Sequence, residues 1–397
     1  MSIDAESARV AEAARTVVQE HDPRSVPLTE FFGACFDAGL SWVHFPAGHG
    51  GLGVSRGLQA VADAIFQEAG APAPFGLNPI GYGMAAPTVQ EHAQTAELKR
   101  KWLRPLATNE NIWCQLFSEP GAGSDLAGLA TSAVRDGDDW VVNGQKVWTT
   151  LAHHASWALL LARTDPDLPK HKGLTYFVVD MRAPGVETRP LRQMTGQAEF
   201  NEVYLENVRI PDAHRLGAVG AGWQVAMTTL MNERSSIGAS GTRRGDGTIA
   251  DAVALWARRP DRHTPVRRDR LTQLWLRSEA QRLTSERSRA TTTLSGPGPE
   301  GSIGKLVGAE LNKQIYEFCM DLLGPEGLLY GDYTMRDVGP GEDELGPVQQ
   351  RFLRSRANTI EGGTSEVLRN ILGERILGLP GDLRADSGRP WREVPRG

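Results

Sequence analysis

The chain has 397 residues, 40% hydrophobic and 23% charged, an ordinary balance for a globular protein of two or three domains. Its 44 glycines and 24 prolines follow no fixed period, which excludes collagen-like and low-complexity classes. With 43 basic and 48 acidic residues the net charge is −5, which argues against a nucleic-acid binder held by backbone electrostatics.

The three cysteines, Cys35, Cys114 and Cys319, are far apart and lack any CxxC spacing. Neither a disulfide framework nor a zinc cluster is expected, and no metal site is assigned. The N-terminal residues 1–6 carry no basic n-region and no apolar h-region, so no secretory signal is read there. The most apolar run, residues 157–162, is far shorter than the ~20 residues that cross a bilayer. The expectation is a cytoplasmic protein with no membrane span.

Residues 5–20 place Val10, Ala13, Ala14, Val17 and Val18 on one face of a helix. Residues 28–38 and 91–106 read as helices too, and Ser55 is a candidate N-cap for a helix over 55–68. The pattern changes near Cys114. Asp136-Gly137 and Asn143-Gly144 are hairpin dipeptides, residues 156–162 and 174–179 are apolar runs of strand length, and 199–205 alternate. Residues 131–208 therefore predict a small antiparallel β-domain.

Helical periodicity returns at Gly222. Residues 223–240, 265–293, 302–323 and 349–377 are four long helix candidates, which suggests a bundle. Residues 294–301 form a loop, 331–346 an irregular connection, and 381–397 a polar tail, disordered or loosely docked. The predicted fold is α+β multidomain. It comprises an N-terminal α-helical domain (1–113), a middle antiparallel β-domain (114–217), a C-terminal four-helix-bundle domain (218–380) and a tail (381–397).

Three short patterns read as accidents. Gly48-His49-Gly50-Gly51-Leu52-Gly53 matches GxGxxG, but no βαβ unit surrounds it, so a tight turn is expected. Gly53-Val54-Ser55-Arg56-Gly57 matches GxSxG without the strand that a nucleophile elbow needs. His153-His154 are neighbours, and on a strand their rings would point to opposite faces rather than share a metal.

Four segments are more specific. They are Phe117-Ser118-Glu119-Pro120-Gly121-Ala122-Gly123-Ser124-Asp125, Asn143-Gly144-Gln145-Lys146-Val147-Trp148-Thr149-Thr150, Phe200-Asn201-Glu202-Val203, and Ile360-Glu361-Gly362-Gly363-Thr364-Ser365-Glu366-Val367-Leu368-Arg369-Asn370. Together and in this order they resemble the acyl-CoA dehydrogenase family over about residues 5–380. Physically, Gly121 and Gly123 let backbone approach a ligand, the Ser and Thr hydroxyls suit the polar edge of a flavin, and Trp148 offers a flat wall. Taken alone, these residues favour a Gly-rich turn into a β-domain with a buried Trp, and the other motifs in order reverse that preference.

The resemblance implies a flavoprotein oxidoreductase of fatty acid and lipid metabolism. It implies FAD as cofactor and α,β-dehydrogenation of an acyl-CoA thioester. An electron-transfer flavoprotein would be the acceptor, and a homodimer or homotetramer the assembly. Ser118, Thr150 and Trp148 then resemble flavin contacts, with Gly123 in the same motif. Ser124 resembles a residue near both flavin and acyl-CoA, and Thr364 and Glu366 contacts to the adenosine side. Arg234 matches a position on the pantetheine arm, and the Gly362 N–H could polarise the thioester oxygen.

The resemblance also implies a carboxylate as the base, held in a dry site. Many relatives carry it in the C-terminal motif, where this chain has Gly362. Others carry it on the first long C-terminal helix, a position that matches Glu233, the expected base, with Glu361 as the alternative. The chain also departs from the family pattern. Residues 258–270 hold six arginines without the usual Arg-x-x-Phe-Gly, and Asp321 and Pro325 replace Gln and Gly in Gln-x-x-Gly-Gly-x-Gly. Two other readings stay open: a flavin monooxygenase or oxidase on the same scaffold, and a non-catalytic partner subunit of a hetero-oligomeric dehydrogenase.

Overall fold

The computed structural model describes residues 3–237, 243–295, 300–332, 334–341, 346–383 and 386–395, with the side chains of 234–237, 289–295 and 300 outside that description. The N-terminal part is helical: α1 (Ile3–Glu20), α2 (Leu28–Asp37), α3 (Gln59–Glu68), α4 (Pro74–Leu77), a π turn (Gly81–Ala85), α5 (Ala86–His92) and α6 (Ala96–Ala107). α1 buries Val10, Ala14 and Val17, spaced four and three residues apart, against Phe31, Phe32 and Cys35 of α2. The helix expected over 91–106 is two: the chain breaks at Ala93, which bridges to Leu216, and Thr95 caps α6 by accepting from Leu98 N at 3.2 Å. Ser55 stands at the start of a 3-10 turn but makes no capping hydrogen bond. The Gly48–Gly53 segment is a tight turn, since a Cβ at Gly51 would lie 2.1 Å from Phe45 O.

The middle part is one eight-stranded sheet: β1 (Trp113–Leu116), β2 (Ser132–Asp136), β3 (Asp139–Thr150), β4 (Trp157–Arg163), β5 (Leu174–Asp180), β6 (Val186–Pro190), β7 (Phe200–Pro211) and β8 (Arg215–Leu216). The order is β6-β7-β3-β2-β4-β5-β8, with β1 beside β4. Most pairs are antiparallel, as expected, but β1 and β2 both meet β4 in parallel. Asp136 and Asp139 pair across a turn at Gly137, the expected hairpin. Asn143-Gly144 is not a second hairpin. β3 runs through it with a bulge, because backbone packs there so closely that a Cβ on Gly144 would lie 2.3 Å from Thr131 Oγ1.

β4 is apolar along its length because both of its faces are covered. Leu159 and Leu161 pack with Trp102, Trp113 and Tyr176, while Ala158, Leu160 and Ala162 pack with Trp140 and Phe177.

The C-terminal part holds α7 (Gly222–Ile237), α8 (Thr248–Arg258), α9 (Pro265–Ser295), α10 (Glu300–Leu323), α11 (Val348–Ser355) and α12 (Ser365–Arg375). α8 was not expected; Ile249, Ala252 and Leu255 form its buried stripe. The helix expected over 349–377 is α11 and α12 separated by a turn in which Gly362 and Gly363 take φ of +61° and +92°, which ends a right-handed helix. Thr229 of α7 joins all three parts, bonded to Thr88 Oγ1 at 2.9 Å and to the Tyr176 hydroxyl at 2.8 Å. The tail is not loose: residues 386–395 dock on the middle domain, with Trp391 9% exposed. Among the described residues no helix is long and apolar enough to cross a membrane.

Candidate active site

The segment after β1 is held by a buried ion pair. Lys146 Nζ, on β3, lies 2.9 Å from Glu119 Oε1 and donates to the carbonyls of Phe117 and Leu161, both at 3.0 Å. Glu119 in turn accepts from the backbone N–H of Ala130 at 2.7 Å and Thr131 at 2.9 Å. Burial alone would raise the Glu119 pKa, but Lys146 and these donors hold it below the usual carboxylate range. All three ammonium protons and both carboxylate oxygens of this pair have a partner, the condition under which a buried pair is tolerated.

This anchor leaves the next residues free to face outward. Gly121, Gly123, Ser124 and Asp125 are exposed, and a Cβ on either glycine would meet no protein atom within 4 Å. Ser118 is half-buried, and its carbonyl accepts from Val147 N at 2.9 Å, which sets it beside Trp148. Trp148 has φ +60° and is 60% exposed, unusual for so large an apolar ring. Its edge meets Phe200 at 6.0 Å between centroids. Thr150 is half-buried on the same strand, and Thr149 Oγ1 is buried without a hydrogen-bond partner. An open glycine cradle, an uncovered indole and adjacent hydroxyls fit a flat, polar-edged ring such as a flavin.

The second constellation is helical. Glu233 is half-buried one turn beyond Thr229 on α7, hence on the same helix face. The pKa of the buried Tyr176 hydroxyl is pushed up by burial and, to a lesser degree, by the Glu233 charge. Lys305 of α10 is 5% exposed and donates to Gly363 O at 2.6 Å. Burial lowers its pKa, while Glu361, Glu233 and Glu310 act in the opposite direction. Glu361 is tied down by Arg354 at 3.0 Å and by Asn358 Nδ2 at 2.8 Å.

Arg354 links the two constellations. It stands 5.7 Å over the Phe200 ring that meets Trp148, and lies 3.4 Å from the buried Glu199. The path Trp148–Phe200–Arg354–Glu361 thus runs from the sheet to the turn that Lys305 holds. A cavity of about 370 Å³ lies between α8, α9 and α10, with Lys305 and Glu361 in its lining.

Thr364 and Glu366 sit elsewhere in character. Thr364 caps α12, accepting from Val367 N at 3.1 Å, and the Glu366 side chain is 77% exposed beside Arg369. The Arg234 side chain lies outside the described residues. His153 and His154 are on a turn after β3, not on a strand. Their rings are 4.2 Å apart and both approach Asp337 Oδ1, at 2.5 and 3.7 Å. The opposite-face expectation fails there because turn backbone does not alternate. Lys305, Arg354, Glu199 and the Glu119–Lys146 pair were not singled out by the sequence. Lys146 and Glu119 lie within recognised motifs, whereas a lone Lys in a helix reads as solvated.

Three domain families match the chain in order: the acyl-CoA dehydrogenase N-terminal domain over residues 4–110, middle domain over 114–208 and C-terminal domain over 220–377. Acyl-CoA dehydrogenase IpdE1 of Mycobacterium tuberculosis is 39% identical over 87% of this chain and 86% of its own length. The chain belongs to the acyl-CoA dehydrogenase family, whose members are oxidoreductases. Acyl-CoA dehydrogenase FadE34 of the same organism is 42% identical over 87% of the chain, yet the chain spans only 46% of that relative. The solved structure of the Tcur3481-Tcur3483 steroid ACAD superposes with a TM-score of 0.72 at 27% identity, covering 96% of this chain and 99% of that one. Thr229, one turn before Glu233 on α7, lies where the three parts of this fold meet.

Proposed function

We propose that the chain binds FAD along the Ser118–Ser124 and Trp148–Thr150 segments and catalyses α,β-dehydrogenation of an acyl-CoA thioester. Glu233 is the base. The observation that carries this assignment is the place of Glu233 on α7, one turn beyond the Thr229 that bonds Thr88 and Tyr176, while Gly362 has no side chain. Glu233 extends from the α7 face that meets Tyr176, where charge is felt by both Tyr176 and Lys305.

In this reading Glu233 removes the α-proton while the Gly362 N–H polarises the thioester oxygen. Bound FAD supplies the hydride acceptor. Ser124 and Arg234 hold the CoA arm, and an electron-transfer flavoprotein takes the electrons onward. The name of the solved steroid ACAD supports including polycyclic acyl groups among the candidate substrates. Bleaching of flavin absorbance by a panel of straight, branched and steroid-derived thioesters tests the reading. A yellow protein that no thioester bleaches would refute it.

A second reading is favoured by one observation. Arg267 forms a two-point ion pair with Asp321, at 3.1 and 3.2 Å, and Arg259 meets Glu326 at 2.7 Å. The two segments that depart from the family pattern, residues 258–270 and 321–327, are thus tied to each other within this chain. A hetero-oligomer in which another subunit completes the cofactor site fits this tie. Measured FAD per chain decides: one per chain supports a homo-oligomer, and a colourless protein that turns yellow only with a partner supports the hetero-oligomer.

A further inference from the structure

The docked tail forms contacts that the proposed chemistry does not use. Residues 386–395 lie across the β4–β5 loop, where Trp391 N donates to Leu168 O at 3.0 Å and Arg392 N to Pro166 O at 3.1 Å. The Trp391 indole donates to Gly128 O at 3.0 Å. Its ring lies 4.2 Å from the guanidinium of the buried Arg163. Arg163 reaches the flanking carbonyls, Ala127 O at 2.6 Å and Leu129 O at 3.1 Å. Three consecutive carbonyls are therefore held by Arg163 and Trp391 together. A buried guanidinium needs such acceptors, and the ring covers its face.

A second anchor lies a few residues upstream. Lys170 Nζ is 2.9 Å from both oxygens of Asp125 and 2.5 Å from Asp386. Through it the tail grips the residue that directly follows Ser124. The Lys170 side chain is only 17% exposed, so the bridge is partly shielded from solvent.

Between these anchors and Glu119, Ala122 is buried and exchanges backbone hydrogen bonds with Glu119 at 3.0 and 3.1 Å, whereas Gly121, Gly123, Ser124 and Asp125 are exposed. Segments with little burial open at low free-energy cost. At its start the loop is fixed by the Glu119–Lys146 pair in the core. At its end it is fixed in part by the tail, which arrives from the far end of the chain. Holding both ends removes conformations that a ligand would otherwise have to suppress.

We propose that residues 386–395 are a positioning strap that pre-orders the Gly121–Asp125 loop for a coenzyme A thioester, so that the tail sets ligand affinity rather than the rate of chemistry. The ligand's identity rests on the acyl-CoA reading above; the ordering of the loop does not. Trp391 and Asp386 act through Gly128, Arg163 and Lys170.

The test compares the FAD-loaded full-length protein with a chain lacking residues 384–397 and with Asp386→Asn. Amide hydrogen exchange over residues 121–128 and calorimetric titration with coenzyme A are measured on each. Deletion speeds loop exchange and weakens coenzyme A binding by about tenfold each, with β4 and β5 exchange unchanged. A synthetic peptide of residues 384–397 restores both. For a thioester that bleaches the flavin, KM rises while kcat holds. Asp386→Asn keeps the Trp391 anchor and gives a smaller loss of affinity, which high salt lessens only in part because the bridge is shielded.

Unchanged loop exchange and unchanged affinity in the deletion overturn the strap, as does a loss of kcat with KM intact. If the deleted chain does not fold, unchanged exchange at residues 124–126 in Asp386→Asn overturns it instead. Full-length protein that ignores coenzyme A while deletion still loosens the loop keeps the strap and refutes the acyl-CoA reading. Tight coenzyme A binding with an unaffected loop does the reverse.

Discussion

Lys146 and Lys305 are both buried lysines at the candidate site, one on the sheet side and one on the helical side, and they are held differently. Lys146 is fully enclosed and directs its ammonium at Glu119 and two carbonyls, all at 2.9 or 3.0 Å. Lys305 has one hydrogen bond, to Gly363 O, and among the described residues no carboxylate within ion-pair distance, although Glu361, Glu233 and Glu310 all act on it. A saturated ammonium fixes a scaffold. An ammonium with spare donors beside carboxylates belongs to a place where charge changes. In the proposed reading the sheet side is the scaffold, and the base acts on the helical side.

The sharpest way to break that comparison is Glu119→Gln. It leaves the Lys146 charge buried without its counter-charge, and should cost about 3–5 kcal/mol of unfolding free energy, read by denaturant titration. An unchanged midpoint would mean that the pair is not the loop's anchor. Lys305→Met should cost less, about 1–3 kcal/mol, because it deprives one buried carbonyl of its donor. Turnover should fall further than that loss of stability explains, and Lys305→Arg should recover stability better than turnover. Equal effects of Met and Arg on both measures would reduce Lys305 to scaffold.

Acid provides the mildest test. Burial, with Arg56 adding to it at His44 and Lys101 at His214, pushes both imidazoles down to about 4. The unfolded chain therefore binds protons that the folded chain refuses between pH 6.5 and 4. Stability is full above pH 6.5 and declines toward pH 4. The Glu119 contribution survives that window and is lost only as pH falls through its depressed pKa, below the usual carboxylate value. Melting temperature against pH should thus fall first through the histidines, with His214→Phe flattening that limb. A profile flat to pH 4.5 would contradict the assignment.

Much of the fold is legible in the sequence where one rule acts alone. The apolar runs of β4 and β5 are strands because both sheet faces are covered, and α1 follows its stripe. Legibility fails where a long-range contact overrides a local signal. Asn143-Gly144 carries a hairpin dipeptide, yet the glycine is there to let β3 pass Thr131. Residues 349–377 keep helical periodicity across Gly362-Gly363, whose left-handed backbone divides them. The tail looks merely polar, with a lone Trp391 as its signal, because its partners Arg163 and Gly128 are more than two hundred residues away.

Of the candidate site, the glycine-rich motif, Trp148 and the α7 carboxylate are the parts that the sequence itself marks as candidates. The Arg354–Glu361 engagement is not marked there, since it depends on how α11 and the turn after it fold back on each other.

The central claim is that Glu233 takes the proton. Single-turnover bleaching of the flavin by a thioester that wild type accepts tests it directly in Glu233→Gln and Glu361→Gln, both loaded with FAD. Glu233→Gln should slow bleaching by about 10²–10⁴-fold, the usual contribution of a general base, with Glu361→Gln close to wild type. Rapid bleaching in Glu233→Gln, or a collapse confined to Glu361→Gln, would contradict the account.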